Sequence, residues 1–68
     1  MAGQINWRLK AEITEKFGTQ FDFAHKIRAH ESYVSLVVRG KRQLNDKQKI
    51  EWARTLGVAA EELFPAEA

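Results

Sequence analysis

Cysteine is absent from this chain of 68 residues, which excludes a disulfide framework and a thiolate zinc site. Cohesion must come from packing, and a reducing, cytoplasmic setting is the expectation. Proline occurs once and glycine four times, spaced as punctuation, with no linker, repeat or low-complexity tract between them. No apolar run approaches the roughly 20 residues a membrane span requires, and MAGQINWRLK lacks the basic start and apolar block of a signal peptide. Enzymatic signatures are missing as well: there is no Gly-rich phosphate loop and no H-E-x-x-H. The two histidines, His25 and His30, would lie about 140° apart on one helix, a poor arrangement for sharing a metal. The expectation is a non-enzyme with no metal, cofactor, small-molecule substrate or membrane partner.

What is present suits one small domain, residues 1–68. Hydrophobic residues make up 44% and charged residues 29%, enough apolar material to exclude disorder over most of the length. Net charge is only +2, but it is unevenly spread. Residues 25–42 hold Lys26, Arg28, Arg39, Lys41 and Arg42 against Glu31 alone, whereas Glu61, Glu62 and Glu67 crowd the last ten positions. Local sign decides what a surface attracts.

Helical punctuation is legible along the chain. Asn6 can cap a helix over about 6–17 whose apolar residues Leu9, Ile13 and Phe17 recur every four positions, with Gly18 as its stop. Thr19 and Asp22 form a capping box for a helix over about 20–28 with Phe23, Ala24 and Ile27 inward. Asn45 and Gln48 do the same for 46–56, with Ile50, Ala53 and Leu56 on one stripe and Gly57 as terminator. A short helix over about 60–64 is stopped by Pro65 and folds Leu63 and Phe64 back onto the core; Ala59 caps it poorly, so this end is expected to fray. Trp7, Trp52, Phe21 and Phe23 are read as core or partner-facing aromatics.

The segment HESYVSLVVRGKR is ambiguous, because Tyr and Val favour strands. Strict alternation fails within YVSLVV, however, and an isolated strand among helices would leave its backbone groups unsatisfied. As a helix over about 31–39, Val34 and Val37 share one side, Val38 and Tyr33 flank them, and Ser32, Ser35 and Arg39 lie opposite with Leu36 near the polar side. Gly40 suits the stop.

From about Leu9 to Phe64 the chain resembles the Cro-type and phage-repressor helix-turn-helix family, often called Xre-like. The resemblance rests on the order and spacing of TQFDFAHKI, HESYVSLVVRGKR and LGVAAEELF. It implies an all-α, compact five-helix bundle of the lambda-repressor-like type, with the second and third helices as the helix-turn-helix and the third in the major groove of DNA. It also implies that Gln20 contacts phosphate and that Glu31, Ser32, Ser35 and Leu36 read base edges, chemistry that Ser, Glu and Leu can supply. Glu31 would equally serve the positive end of its own helix, Leu36 could instead join the core, and Gln20 could be an ordinary surface residue. Arg39, Lys41 and Arg42 would bind phosphates, which positions the protein without reading sequence.

Two departures from the family pattern stand out. The inter-helix turn lacks the usual Gly, so either Arg28 adopts a left-handed conformation at about 1 kcal/mol or the turn differs. The reading face offers no Arg, Asn or Gln for bidentate base contacts. The expected function is a phage-related transcriptional regulator that binds double-stranded DNA, as a homodimer on a two-fold related operator. A dimer would use the last two helices, with Trp52 or Phe64 exposed. The competing expectation is a protein-interaction module, such as an antitoxin or adaptor domain, meeting its partner through Leu36 and Val38.

Overall fold

The ambiguous segment is helical. A computed structural model describes residues 4–65, which form α1 (Trp7–Phe17), α2 (Gln20–Lys26), α3 (Glu31–Val38), α4 (Asp46–Leu56) and α5 (Ala60–Leu63), with no strand among them. The fold is an all-α globule with a Cα radius of gyration of 10.9 Å, matching the roughly 11 Å expected of a compact chain this long.

Caps set most of the boundaries. The Asn6 side chain accepts from Leu9 N–H at 3.0 Å, and Gly18 closes α1 with φ +86°. Thr19 accepts from Asp22 N–H at 3.1 Å, without the reciprocal half of the box. Asn45 and Gln48 make both halves, at 2.8 and 3.0 Å. Ala59 has no side-chain acceptor, so α5 has only the Glu62 half, a bond of 3.2 Å to Ala59 N–H.

The left-handed alternative at the α2–α3 turn is the one adopted: Arg28 has φ +60°. Helix α2 consequently stops at Lys26, and Ala29 N–H reaches back to the Ala24 carbonyl at 2.9 Å. Gly40 and Gly57 end α3 and α4 the same way, with Lys41 N–H on Leu36 O at 2.9 Å and Val58 N–H on Ala53 O at 3.1 Å. Each satisfies carbonyls that a helix end would otherwise leave open.

Every helix contributes to one core: Leu9 and Ile13 from α1, Phe23 and Ala24 from α2, the three valines of α3, Trp52, Ala53 and Leu56 from α4, and Leu63 from α5. A run of edge-to-face aromatics crosses it, from Phe17 to Phe23 (5.3 Å), Phe23 to Trp52 (5.1 Å) and Trp52 to Tyr33 (6.2 Å). Such pairs are worth about 0.5–1.5 kcal/mol each beyond their buried area, and these join four of the helices.

Four expectations are corrected by the structure. Ile50 is 52% exposed and not on the inward stripe of α4; Trp52 occupies that stripe, and Ile50 lies about 160° around the helix from it. Trp52, only 4% exposed, cannot serve as a dimer contact, and Phe64 is half-buried against the core. Val38 is 3% exposed and so is unavailable to a protein partner. The end expected to fray is tied down, since Leu63 is fully buried and its carbonyl accepts from Asn6 Nδ2 at 2.7 Å.

Candidate nucleic-acid interface

Helix α3 is held from behind and open in front. Val34, Val37 and Val38 sit in the core, while Glu31 and Ser32 are exposed, Ser35 is half-buried and Leu36 is 36% exposed. The helix begins at His30, whose side chain makes no capping bond, so Glu31 provides the favourable charge in the first turn. Of the four residues expected to read bases, Glu31, Ser32 and Leu36 are therefore open to solvent and Ser35 only partly so. Gln20, the first residue of α2, is half-buried.

Arg39, Lys41 and Arg42 follow immediately, all exposed. Among the described residues, the ion pairs engage only Arg8 and Lys16 as cations, so none of these three is neutralised by a carboxylate. Arg42 is oriented nonetheless: its guanidinium lies 5.1 Å from the Tyr33 ring centroid, a contact worth about 0.5–1 kcal/mol at an exposed site. Tyr33 is itself braced on Trp52, so the core fixes where one of the cations stands.

The end of α3 is also set by the N-terminal segment. Asn6 N–H donates to Val38 O at 2.7 Å, and a Cβ placed on Gly40 would overlap the backbone of Gln4. Gly40 thus answers two demands, its φ of +76° and this close approach. Only the first has a local signal; the second joins residues far apart in the chain. Asn6 links three helices, capping α1 and bonding α3 and α5.

Beside the start of α3, a shallow hollow of about 160 Å³ is lined by Phe21, Ala24, His25, Ala29, His30 and Glu31. The two histidines do not share one helix, because His25 belongs to α2 and His30 precedes α3. Both line this hollow, and among the described residues no group of three metal-ligating side chains is assembled.

Of the four aromatics expected to be core or partner-facing, Trp52 and Phe23 are core and two are exposed. Trp7 is 65% exposed and Phe21 63%. The period that revealed α1 could have found Trp7, since it lies about 160° from Leu9 around that helix.

Along α1, charges are consumed internally. Glu12 accepts from Lys16 at 2.7 Å and Arg8 at 3.1 Å, and Arg8 also reaches Glu62 of α5 at 3.4 Å. The hydrogen bond from Lys16, the largest influence, together with Arg8 holds the Glu12 carboxyl below its ordinary value. Lys16 Nζ further donates to the Leu56 carbonyl at 2.9 Å, at the end of α4.

Compared with known proteins, the chain matches no family model, no curated protein and no solved structure. Among the described residues no helix is long and apolar enough to cross a membrane.

Proposed function

We propose that the protein is a duplex-DNA-binding transcriptional regulator that presents α3 to the major groove, with α2 and α3 acting as a helix-turn-helix. The observation that carries this is the division of α3: its valines are locked in the core while Glu31, Ser32 and Leu36 face outward, directly followed by three unneutralised cations. A polyanion surrounded by condensed counterions is the partner such a cluster suits, because each contact releases ions. In this reading Arg39, Lys41, Arg42 and Gln20 grip phosphates, while Glu31, Ser32, Ser35 and Leu36 meet base edges. Leu36 packs on thymine methyl groups, and Glu31 accepts from cytosine amino groups. A two-fold operator bound by two copies supplies the affinity that one small module lacks.

Titration with random-sequence duplex at several salt concentrations tests this. Affinity is expected to fall steeply as salt rises, and selection from a random duplex pool to return a defined, symmetric site. Lys41→Ala is expected to weaken all sequences alike, whereas Ser32→Ala and Glu31→Ala change preference at particular base pairs. Uniform loss for the latter two would remove them from the reading face.

One observation favours a second reading, a protein-interaction module: the exposed Phe21 lines a shallow hollow together with Ala24 and Ala29. Binding of that kind would respond little to salt.

A further inference from the structure

We propose that Trp7 and Lys10, in the first turn of α1, continue the DNA-facing surface past the end of α3 and contact the sugar-phosphate backbone of the same duplex. The proposal rests on the DNA reading above and adds residues that the reading of the sequence did not assign.

Placement comes first. The bond from Asn6 N–H to Val38 O, and the close approach of Gln4 to Gly40, lay the segment Gln4–Asn6 against the end of α3. Trp7 follows directly in the chain, so α1 starts at the end of α3, the end after which Arg39, Lys41 and Arg42 come.

Orientation comes from the neighbours of α1. Arg8 bonds Glu62 of α5 and Lys16 bonds Leu56 of α4, which marks one side of the helix. Phe17 meets Phe23 of α2 edge-on, which marks the other. Lys10 precedes Phe17 by seven positions, so the two lie within about 20° of each other around the axis. Lys10 therefore lies on the side toward α2.

Chemistry completes the case. Among the described residues no carboxylate pairs with Lys10, whose Nζ stands 5.2 Å from the Trp7 ring centroid. The ring is 65% exposed, an unusual state for the largest apolar side chain in a protein whose other tryptophan is 4% exposed. An exposed indole offers one N–H donor and a flat apolar face, and the ammonium beside it adds a point charge. A phosphate oxygen next to a deoxyribose matches that set.

The test uses the full chain and a random-sequence duplex over a salt series. Lys10→Ala is expected to reduce the slope of log affinity against log salt by about 0.9, and Lys10→Arg to retain it. Trp7 is expected to become shielded from acrylamide when duplex is added, with Trp7→Phe removing that signal because Trp52 is buried in either state. Both side chains are exposed, so folding is not at stake. A Lys10→Ala slope equal to wild type, with Trp7 still quenched in the complex, overturns the proposal while leaving the DNA reading intact. Absence of salt-sensitive duplex binding by the wild type overturns both.

Discussion

Arg8 and Lys16, on α1, are occupied by Glu12, Glu62 and the Leu56 carbonyl. By contrast, Lys26, Arg28, Arg39, Lys41 and Arg42 form no ion pair among the described residues. Identical residue types thus do different work according to their neighbours. Where carboxylates stand within reach, the cation is held within the fold; where they are missing, the charge stays unpaired among the described residues. Surface pairs of the first kind contribute little each, so their value here is in tying α1 to α4 and α5. The second kind ties no helices together through ion pairs, and under the proposed function it is the side that meets a polyanion.

The sharpest way to break this contrast is to strip the open side. Arg39, Lys41 and Arg42 changed together to Ala are expected to flatten the salt dependence of duplex binding by about 2.7, at about 0.9 per cation, while stability falls by only about 0.5–1 kcal/mol, that of the lost Arg42–Tyr33 contact. Arg8→Ala is expected to leave duplex affinity unchanged. If Arg8→Ala weakened binding as much as the triple change, the division between the two sides would be wrong.

Next in size is the junction behind the open side. Gly40→Ala meets left-handed strain of about 1–2 kcal/mol and, in addition, overlap with Gln4. Gly57→Ala meets the strain alone, because nothing lies within 4 Å of a Cβ there. Urea unfolding should therefore rank Gly40→Ala well below Gly57→Ala, and equal losses would mean that the contact with Gln4 is not made.

A smaller and opposite effect is expected at the α2–α3 turn. Arg28→Gly relieves the same strain and should stabilise the protein by up to about 1 kcal/mol in urea unfolding. It also removes one cation from the open side, so duplex affinity tests whether Arg28 belongs to the DNA surface or only to the turn.

The smallest effect sharpens the closed side. The folded-state carboxyl of Glu12 titrates below its ordinary value near 4.5. The stability it adds is therefore complete above that value and lost as pH falls through the depressed one. Glu12→Gln is expected to flatten the acid limb of a stability-against-pH curve below about pH 4.5 and to leave its shape above that value unchanged.

Much of the architecture was readable residue by residue. Asn6, Thr19, Asn45, Gly18 and Gly57 act within one turn of where they sit, so their signals are local. The inward valines of α3 followed from periodicity even though their propensity argued for a strand, because a lone strand has no partner for its backbone. The α4 stripe was misread at Ile50 because several apolar residues compete for one face, and the aromatic neighbours decide which of them wins. Of the candidate site, the outward placing of Ser32 and Leu36 was visible on a helical wheel, whereas Glu31 entered through the family resemblance. The bracing of Arg42 on Tyr33, the seating of Gln4 on Gly40 and the exposure of Phe21 were not.

The sequence by itself determined the number of helices, where most of them start and stop, and which residues of α3 turn inward. These depend on backbone capping and on the spacing of apolar side chains, which act over a few residues. Only the tertiary structure decided which cations are neutralised, which tryptophan is buried, and what holds the end of α3. Those outcomes depend on contacts between residues distant in the chain, formed when the helices close around a single core.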